Sequence, residues 1–181
     1  MRICRLKDVD EKEIIREIKK GSLLIYPTDT LIGIGCHAGK VGSVRKIRKL
    51  KKTRKPLSVI APSKEWIKRN LKVRHSSYLG KLPGKYTLIF EKKRKSFLQE
   101  CSLKGLGVRI PDHEFTRIVK KSGVPFVTTS VNVSGKKPIS KVAQIPKKFL
   151  KHVDFVIDDG ARRGKASHVF DLTGEKPKRI R

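Results

Sequence analysis

The stretch "IYPTDTLIGIGC", residues 25–36, decides how this chain is read. An apolar run, Leu23-Leu24-Ile25, ends at Pro27 in two threonines around an aspartate, and glycines follow at 33 and 35. Proline removes a ladder donor and so ends a buried strand. Thr and Asp bend the backbone through their own side-chain hydrogen bonds, and glycine lets it approach another group closely. The stretch therefore reads as a buried strand opening into a loop. Either this is an ordinary strand exit or the loop holds a ligand.

Working outward, helical and strand patterns interleave. Residues 9–20 carry Ile14, Ile15 and Ile18 at helical spacing and stop at Gly21. Residues 22–26 read as a buried strand, and residues 41–52 as a basic helix with Val44, Ile47 and Leu50 on one face. "LSVI" (57–60) is a short strand, and a helix over 63–70 starts at a Ser63 cap. "YTLIF" (86–90), "LGVRI" (106–110) and "PFVTTS" (125–130) are strands, with a helix over 113–121 between the last two. Residues 141–150 read as a helix broken by Pro146; "DFVID" (154–158), "HVFDL" (168–172) and the terminal "KRI" supply late strands. Several strands crowd together near the end, which favours an α/β (α+β) domain with a large, twisted, mixed sheet and flanking helices over a plain doubly wound fold. No repeat or long linker divides residues 1–181, so the expectation is one domain.

Charge is the strongest global signal. Forty-five Lys and Arg face sixteen Asp and Glu, a net charge of +29. Residues 40–74 hold fourteen basic side chains and one acid, Glu65. Such a surface attracts polyanions, RNA among them, or serves as a solvated basic face. Aromatic residues make up only 6%, which argues against a stacking platform for single strands. No apolar run approaches the roughly 20 residues of a membrane helix, and the start lacks the apolar region of a signal peptide. A cytoplasmic protein without membrane attachment is expected. Cys4, Cys36 and Cys101 are odd in number and form no CxxC pair, so reduced packing thiols are expected rather than a zinc site or a disulfide framework.

Five loops could carry chemistry. The first is residues 25–36. The second, "TTSVNVSGKKP" (128–138), offers hydroxyls, an amide and backbone N–H groups to an anion, although Ser, Asn and Gly also suit any turn. The third, "KIRKLKKTRKPL" (46–57), gathers Lys51, Lys52, Arg54 and Lys55 at a helix end, side chains suited to phosphate or to plain solvation. In the fourth, "GVRIPDH" (107–113), Arg109 lies inside an apolar strand and needs a partner, an internal acid or an anionic ligand. The fifth is "DDGARRGKASHVFDL" (158–172), with Ser167 entering a strand. HExxH, GxSxG and Walker A patterns do not occur.

Taken in order, these motifs resemble the YrdC-like family, whose best-known members are threonylcarbamoyl-AMP synthases. The residues that carry the likeness are Pro27-Thr28-Asp29-Thr30 with Gly33, Lys55-Pro56-Leu57, "PGKYT" (83–87), "VRIPDH" (108–113), "TSVNVSG" (129–135), the "DDG…G…SH" run, and the terminal Ile180-Arg181. The likeness covers roughly residues 10–181 and implies a short, single-domain form with a basic concave cavity. The chain differs from the common pattern at Ile32, where Tyr is usual, at Ile60, where His is usual, at Val131 and at His168, and its Lys/Arg segment is shortened.

The resemblance implies a nucleotidyltransferase that joins L-threonine, bicarbonate and ATP, with Mg²⁺ on the ATP, into threonylcarbamoyl-AMP for tRNA modification. Lys51, Lys52 and Arg54 would meet the phosphates, Lys51 and Arg54 as electrostatic stabilisers. Ser130, Asn132 and Ser134 would bind the nucleotide, and Arg181 would close over it. Thr28, Thr30, Arg109 and Ser167 would hold threonine or its carbamate, and no side chain would act as nucleophile. The loop of residues 25–36 would face substrate, its glycine backbone close to the ligand. tRNA or double-stranded RNA and tRNA-modification proteins are the expected partners. The competing expectation is a YrdC-like domain that binds double-stranded RNA or tRNA through its basic face without catalysis.

Overall fold

The computed structural model describes residues 1–161 and 164–181. Two residues of the fifth loop, Arg162 and Arg163, lie outside the described residues.

Helix α1 (Glu11–Lys20) forms where its isoleucines predict it. Asp10 caps it by accepting from the backbone N–H groups of Lys12 (2.9 Å) and Glu13 (3.3 Å). Gly21 ends it in the left-handed region at φ 99°. Strands β1 (Arg2–Arg5) and β2 (Leu24–Tyr26) flank this helix in the chain.

Strand β3 (Gly33–Gly35) corrects the reading of residues 27–36 as one loop. It pairs antiparallel with β2, so the segment is a strand, a turn over Thr28–Leu31 and a return strand. Packing requires both glycines, and Gly33 also lines the cavity described below. A Cβ on Gly35 would lie 1.9 Å from the Val127 carbonyl oxygen, and one on Gly33 would press on the Tyr26 ring at 3.0 Å.

The chain continues through α2 (Val41–Lys51), β4 (Ser58–Ile60), α3 (Lys64–Asn70), β5 (Leu71–Lys72), β6 (Tyr86–Lys92) and β7 (Gly105–Arg109). Then come α4 (Glu114–Ser122), β8 (Phe126–Ser130), a 3₁₀ turn (Val142–Gln144), α5 (Lys147–Leu150), β9 (Phe155–Asp158), β10 (His168–Asp171) and β11 (Lys178–Arg179). The break at Pro146 splits the 141–150 helix into the turn and α5, as its fixed φ and missing N–H require. The strands form one mixed sheet in the order β1-β9-β2-β3-β8-β4-β7-β6-β10-β11, with β5 beside β6. β1 with β9, β9 with β2, β4 with β7 and β6 with β10 run parallel.

Period-two alternation divides the core between the two sheet faces. Leu24 and Tyr26 join Ile14 and Ile18 of α1 and Phe115, Ile118 and Val119 of α4. Leu23 and Ile25 face the opposite layer, with Val44 and Ile47 of α2 and Ile67 of α3. Tyr26 stacks on Phe115 with centroids 4.4 Å apart, locking α4 to the strand that leads into the site. Among the described residues no helix is long and apolar enough to cross a membrane.

Candidate active site

A cavity of about 290 Å³ opens at the ends of β2, β3, β4, β6, β7 and β8. Hydroxyls from Thr28, Thr30, Ser58, Thr87, Ser130 and Ser167 line it, with Arg109 and Arg181 as its cations. Among the described residues its wall carries no Asp or Glu. Its hydroxyls and two guanidinium groups suit an anion with several acceptors.

The turn after β2 is built from its own hydroxyl. Thr28 Oγ1 accepts from the N–H groups of Thr30 and Leu31, both at 3.1 Å, and donates to the Leu31 carbonyl at 2.7 Å. Thr30 Oγ1 in turn accepts from Arg109 Nη1 at 3.1 Å. Arg109 finds the internal acid its burial demands: its Nη2 donates to Asp29 Oδ1 at 2.6 Å, with the two side chains only 9% and 6% exposed. Burial pulls the guanidinium below its usual range, and Asp29 acts in the opposite direction. Thr87 and Ser167 share a hydrogen bond of 2.8 Å across the parallel β6–β10 pair. Arg181 Nε donates to the Ser167 carbonyl at 3.1 Å, which fixes the terminal arginine at the mouth.

Of the candidate site residues, Thr28, Thr30, Arg109, Ser130, Ser167 and Arg181 line this one cavity. The other candidates are placed differently. The Lys51 ammonium turns inward and donates to the Ser130 carbonyl, to the Asn132 carbonyl (2.9 Å) and to Asn132 Oδ1 (3.2 Å). It is 5% exposed and does not line the cavity, so its charge clasps the loop of residues 130–132 instead of reaching an open phosphate position. Asn132 Nδ2 closes the same loop onto the carbonyls of Val133 and Lys136, and the Ser134 N–H donates to the Lys51 carbonyl. Neither Asn132 nor Ser134 reaches the cavity wall. Lys52 is the exposed left-handed cap of α2. Arg54 lines an adjoining open groove of about 640 Å³ with Arg48 and Lys104, and Pro56 is common to groove and cavity.

Of the departures, Ile32 supplies apolar cavity wall, Ile60 is core beneath α4, and His168 pairs with Arg179 away from the cavity. Cys36 and Cys101 are buried, and burial pushes both thiols up, which disfavours the reactive thiolate and fits packing roles. Sequence reasoning missed roles for Asp29, Ser58 and Thr87. The signal for Asp29 was present, since a strand arginine needs a partner and the turn holds an acid. Ser58 and Thr87 look like any strand residue until the sheet order places them over the cavity.

The fold and site together define an α/β protein with a cationic, hydroxyl-lined pocket for an anionic substrate. The family profile of Sua5, YciO and YrdC, described as Telomere recombination, matches residues 16–181, and the chain belongs to this family. A Methanocaldococcus jannaschii relative that carries the name threonylcarbamoyl-AMP synthase provisionally is 34% identical, over 97% of this chain and 88% of its own. The bovine threonylcarbamoyl-AMP synthase is 31% identical over 81% of this chain and 55% of its own. The crystal structure of Pyrococcus abyssi Sua5 complexed with L-threonine superimposes with a TM-score of 0.86 at 26% identity, covering 99% of this chain and 56% of that one. This chain therefore spans most of the first relative and about half the length of the other two.

Proposed function

We propose that this chain condenses L-threonine, bicarbonate and ATP into threonylcarbamoyl-AMP and pyrophosphate, the activated intermediate for threonylcarbamoyladenosine in tRNA. The observation that carries this reading is the cavity where Arg109, Thr30, Thr87 and Ser167 converge, with no Asp or Glu among its described lining residues. The relatives' names and the threonine-bound Sua5 support it.

In this reading the threonine carboxylate faces Arg109 and the threonine hydroxyl faces the Thr87–Ser167 pair. The amine attacks the carbon of bicarbonate-derived CO2. A carbamate oxygen then attacks the α-phosphorus as the bond to the pyrophosphate leaving group breaks. Such a reaction needs positioning and charge compensation, which the cavity's cations and hydroxyls supply. The enclosed space suits threonine, its carbamate and the α-phosphate. The outer phosphates extend past Pro56 towards Arg54 and Lys52, while Lys51 holds the Ser130 loop and Arg181 caps the nucleotide. Mg²⁺ would arrive on the triphosphate, which with water supplies most of its ligands, and it would offset charge on the leaving group. The basic exterior supports contact with tRNA or double-stranded RNA, and tRNA-modification proteins would accept the intermediate in the cytoplasm.

The test is pyrophosphate release from Mg²⁺-ATP, with L-threonine and bicarbonate each omitted in turn. Release that needs both is the expected result. Release independent of threonine, or none from folded protein, overturns the proposal and leaves the RNA-binding reading.

A further inference from the structure

Two acids outside the cavity wall behave differently. Asp159, its side chain 40% exposed, meets the largely covered His113 side chain, with Asp159 Oδ2 and His113 Nε2 3.2 Å apart. The Asp29 side chain is largely buried, and its two oxygens serve segments far away in the chain. Oδ1 takes Arg109 Nη2, and Oδ2 accepts from the Asp112 backbone N–H at 3.1 Å. The turn around it is also gripped from a third side, because Gly164 lies so close that a Cβ there would come 2.1 Å from the Thr30 carbonyl oxygen.

A buried ion pair is weak evidence of stabilisation, since desolvation consumes much of the attraction and apolar residues of similar volume often do as well. The arrangement here also leaves a donor unused. Among the described residues, Arg109 Nε is buried without a hydrogen-bond partner. A guanidinium placed for stability alone would satisfy that group too. The geometry instead fixes orientation: Asp29 holds one end of the fork, Thr30 holds Nη1, and the head forms part of the cavity wall.

We propose that Asp29 is a positioning residue for substrate, holding Arg109 in the one orientation that presents its fork to the threonine carboxylate. This rests on the threonylcarbamoyl-AMP reading. Asp29 does not line the cavity and so acts through Arg109. Its loss should weaken capture of the amino acid and leave ATP binding intact, because the nucleotide elements, the Ser130 loop and Arg54, are not bonded to it.

The experiment is steady-state pyrophosphate release by the wild type, Asp29→Asn and Asp29→Glu. For Asp29→Asn the expected result is a rise of about tenfold or more in KM for L-threonine, with KM for ATP changed less than about twofold. Asp29→Glu, which restores the carboxylate, should recover to within about threefold of wild type. Equal rises in both KM values, or no change in either, overturn the proposal. Asp29→Asn could fail to fold, so the pair is also cycled in an Arg109→Lys background. There the Asp29→Asn effect on threonine should largely disappear, and its persistence overturns the proposal. A structural readout keeps the two inferences apart. The Arg109 Nε–H signal in a ¹⁵N spectrum should exchange slowly with water in wild type and Asp29→Glu, and fast in an Asp29 variant without the carboxylate. If wild type shows no threonine-dependent release, the functional reading fails. If wild type releases normally and the Nε–H signal is unaffected by Asp29→Asn, the positioning role alone fails.

Discussion

At the scale of single residues, Lys51 shows how one burial changes a role. Its sequence neighbourhood reads as phosphate-binding or as a solvated basic face, yet the ammonium points under the Ser130–Asn132 loop and meets three acceptors there. Burial, with the like charge of Lys148 second, pulls it from 10.5 to about 8. A neutral amine has two N–H groups and must release one of the three oxygens, loosening a loop whose Ser130 lines the cavity. KM for ATP should therefore rise as pH passes about 8, and initial rates at varied ATP from pH 7 to 9 check this. Stability moves the other way. The folded chain gives up this proton before the unfolded chain does, so between about 8 and 10.5 the unfolded state binds more protons and the Lys51 contribution to stability rises with pH. A fall in nucleotide affinity without a fall in stability is the expected signature.

At the scale of elements, β3 is the piece on which the site depends. It joins β2 to β8 and so brings the Thr28–Thr30 turn beside Ser130. Its pairing requires backbones closer than a side chain permits, and Gly35 sits against the Val127 carbonyl. Gly35→Ala should part β3 from β8 and cost about 3 kcal/mol or more, in the range of severe overpacking. Urea unfolding should show a midpoint well below wild type, and an unchanged midpoint would mean that β3 does not hold the hairpin. Helix α1 is the contrasting case, because cap, apolar face and terminal glycine all lie within its own twelve residues from Asp10 to Gly21 and could be read in order.

At the scale of the whole molecule, a net charge of +29 sets the behaviour towards polyanions. Basic side chains that meet RNA phosphates release counterions, and affinity then falls steeply with salt. Binding to duplex RNA should drop by roughly 10³-fold between 50 and 200 mM salt if about six phosphates are contacted. Filter or fluorescence binding across that range checks it, and a flat dependence would mean that the basic surface is solvated and unused. Pyrophosphate release should vary far less, because the cavity cations are buried or fixed by hydrogen bonds and are screened less than exposed charges.

Several helices and strands, and part of the cavity lining, were legible in the sequence alone. Apolar spacing placed α1, α2, β6 and β8, and the ordered motifs brought Thr28, Thr30, Arg109, Ser167 and Arg181 to attention. These signals are local, because burial of one face imposes a period that any short window reveals. The remaining features depend on long-range packing. β1 has mostly exposed side chains and is held by backbone bonds to β9, so no apolar alternation announces it. β3 is a strand made largely of glycine, a composition that argues for a loop until β2 and β8 are seen on either side. The partner of Arg109 lies 80 residues away, and the acceptors of Lys51 lie 79 and 81 away. Whether such a cation faces a phosphate, an internal carboxylate or a carbonyl depends on which strands become neighbours, and sheet order is set by contacts between distant segments that no local window contains.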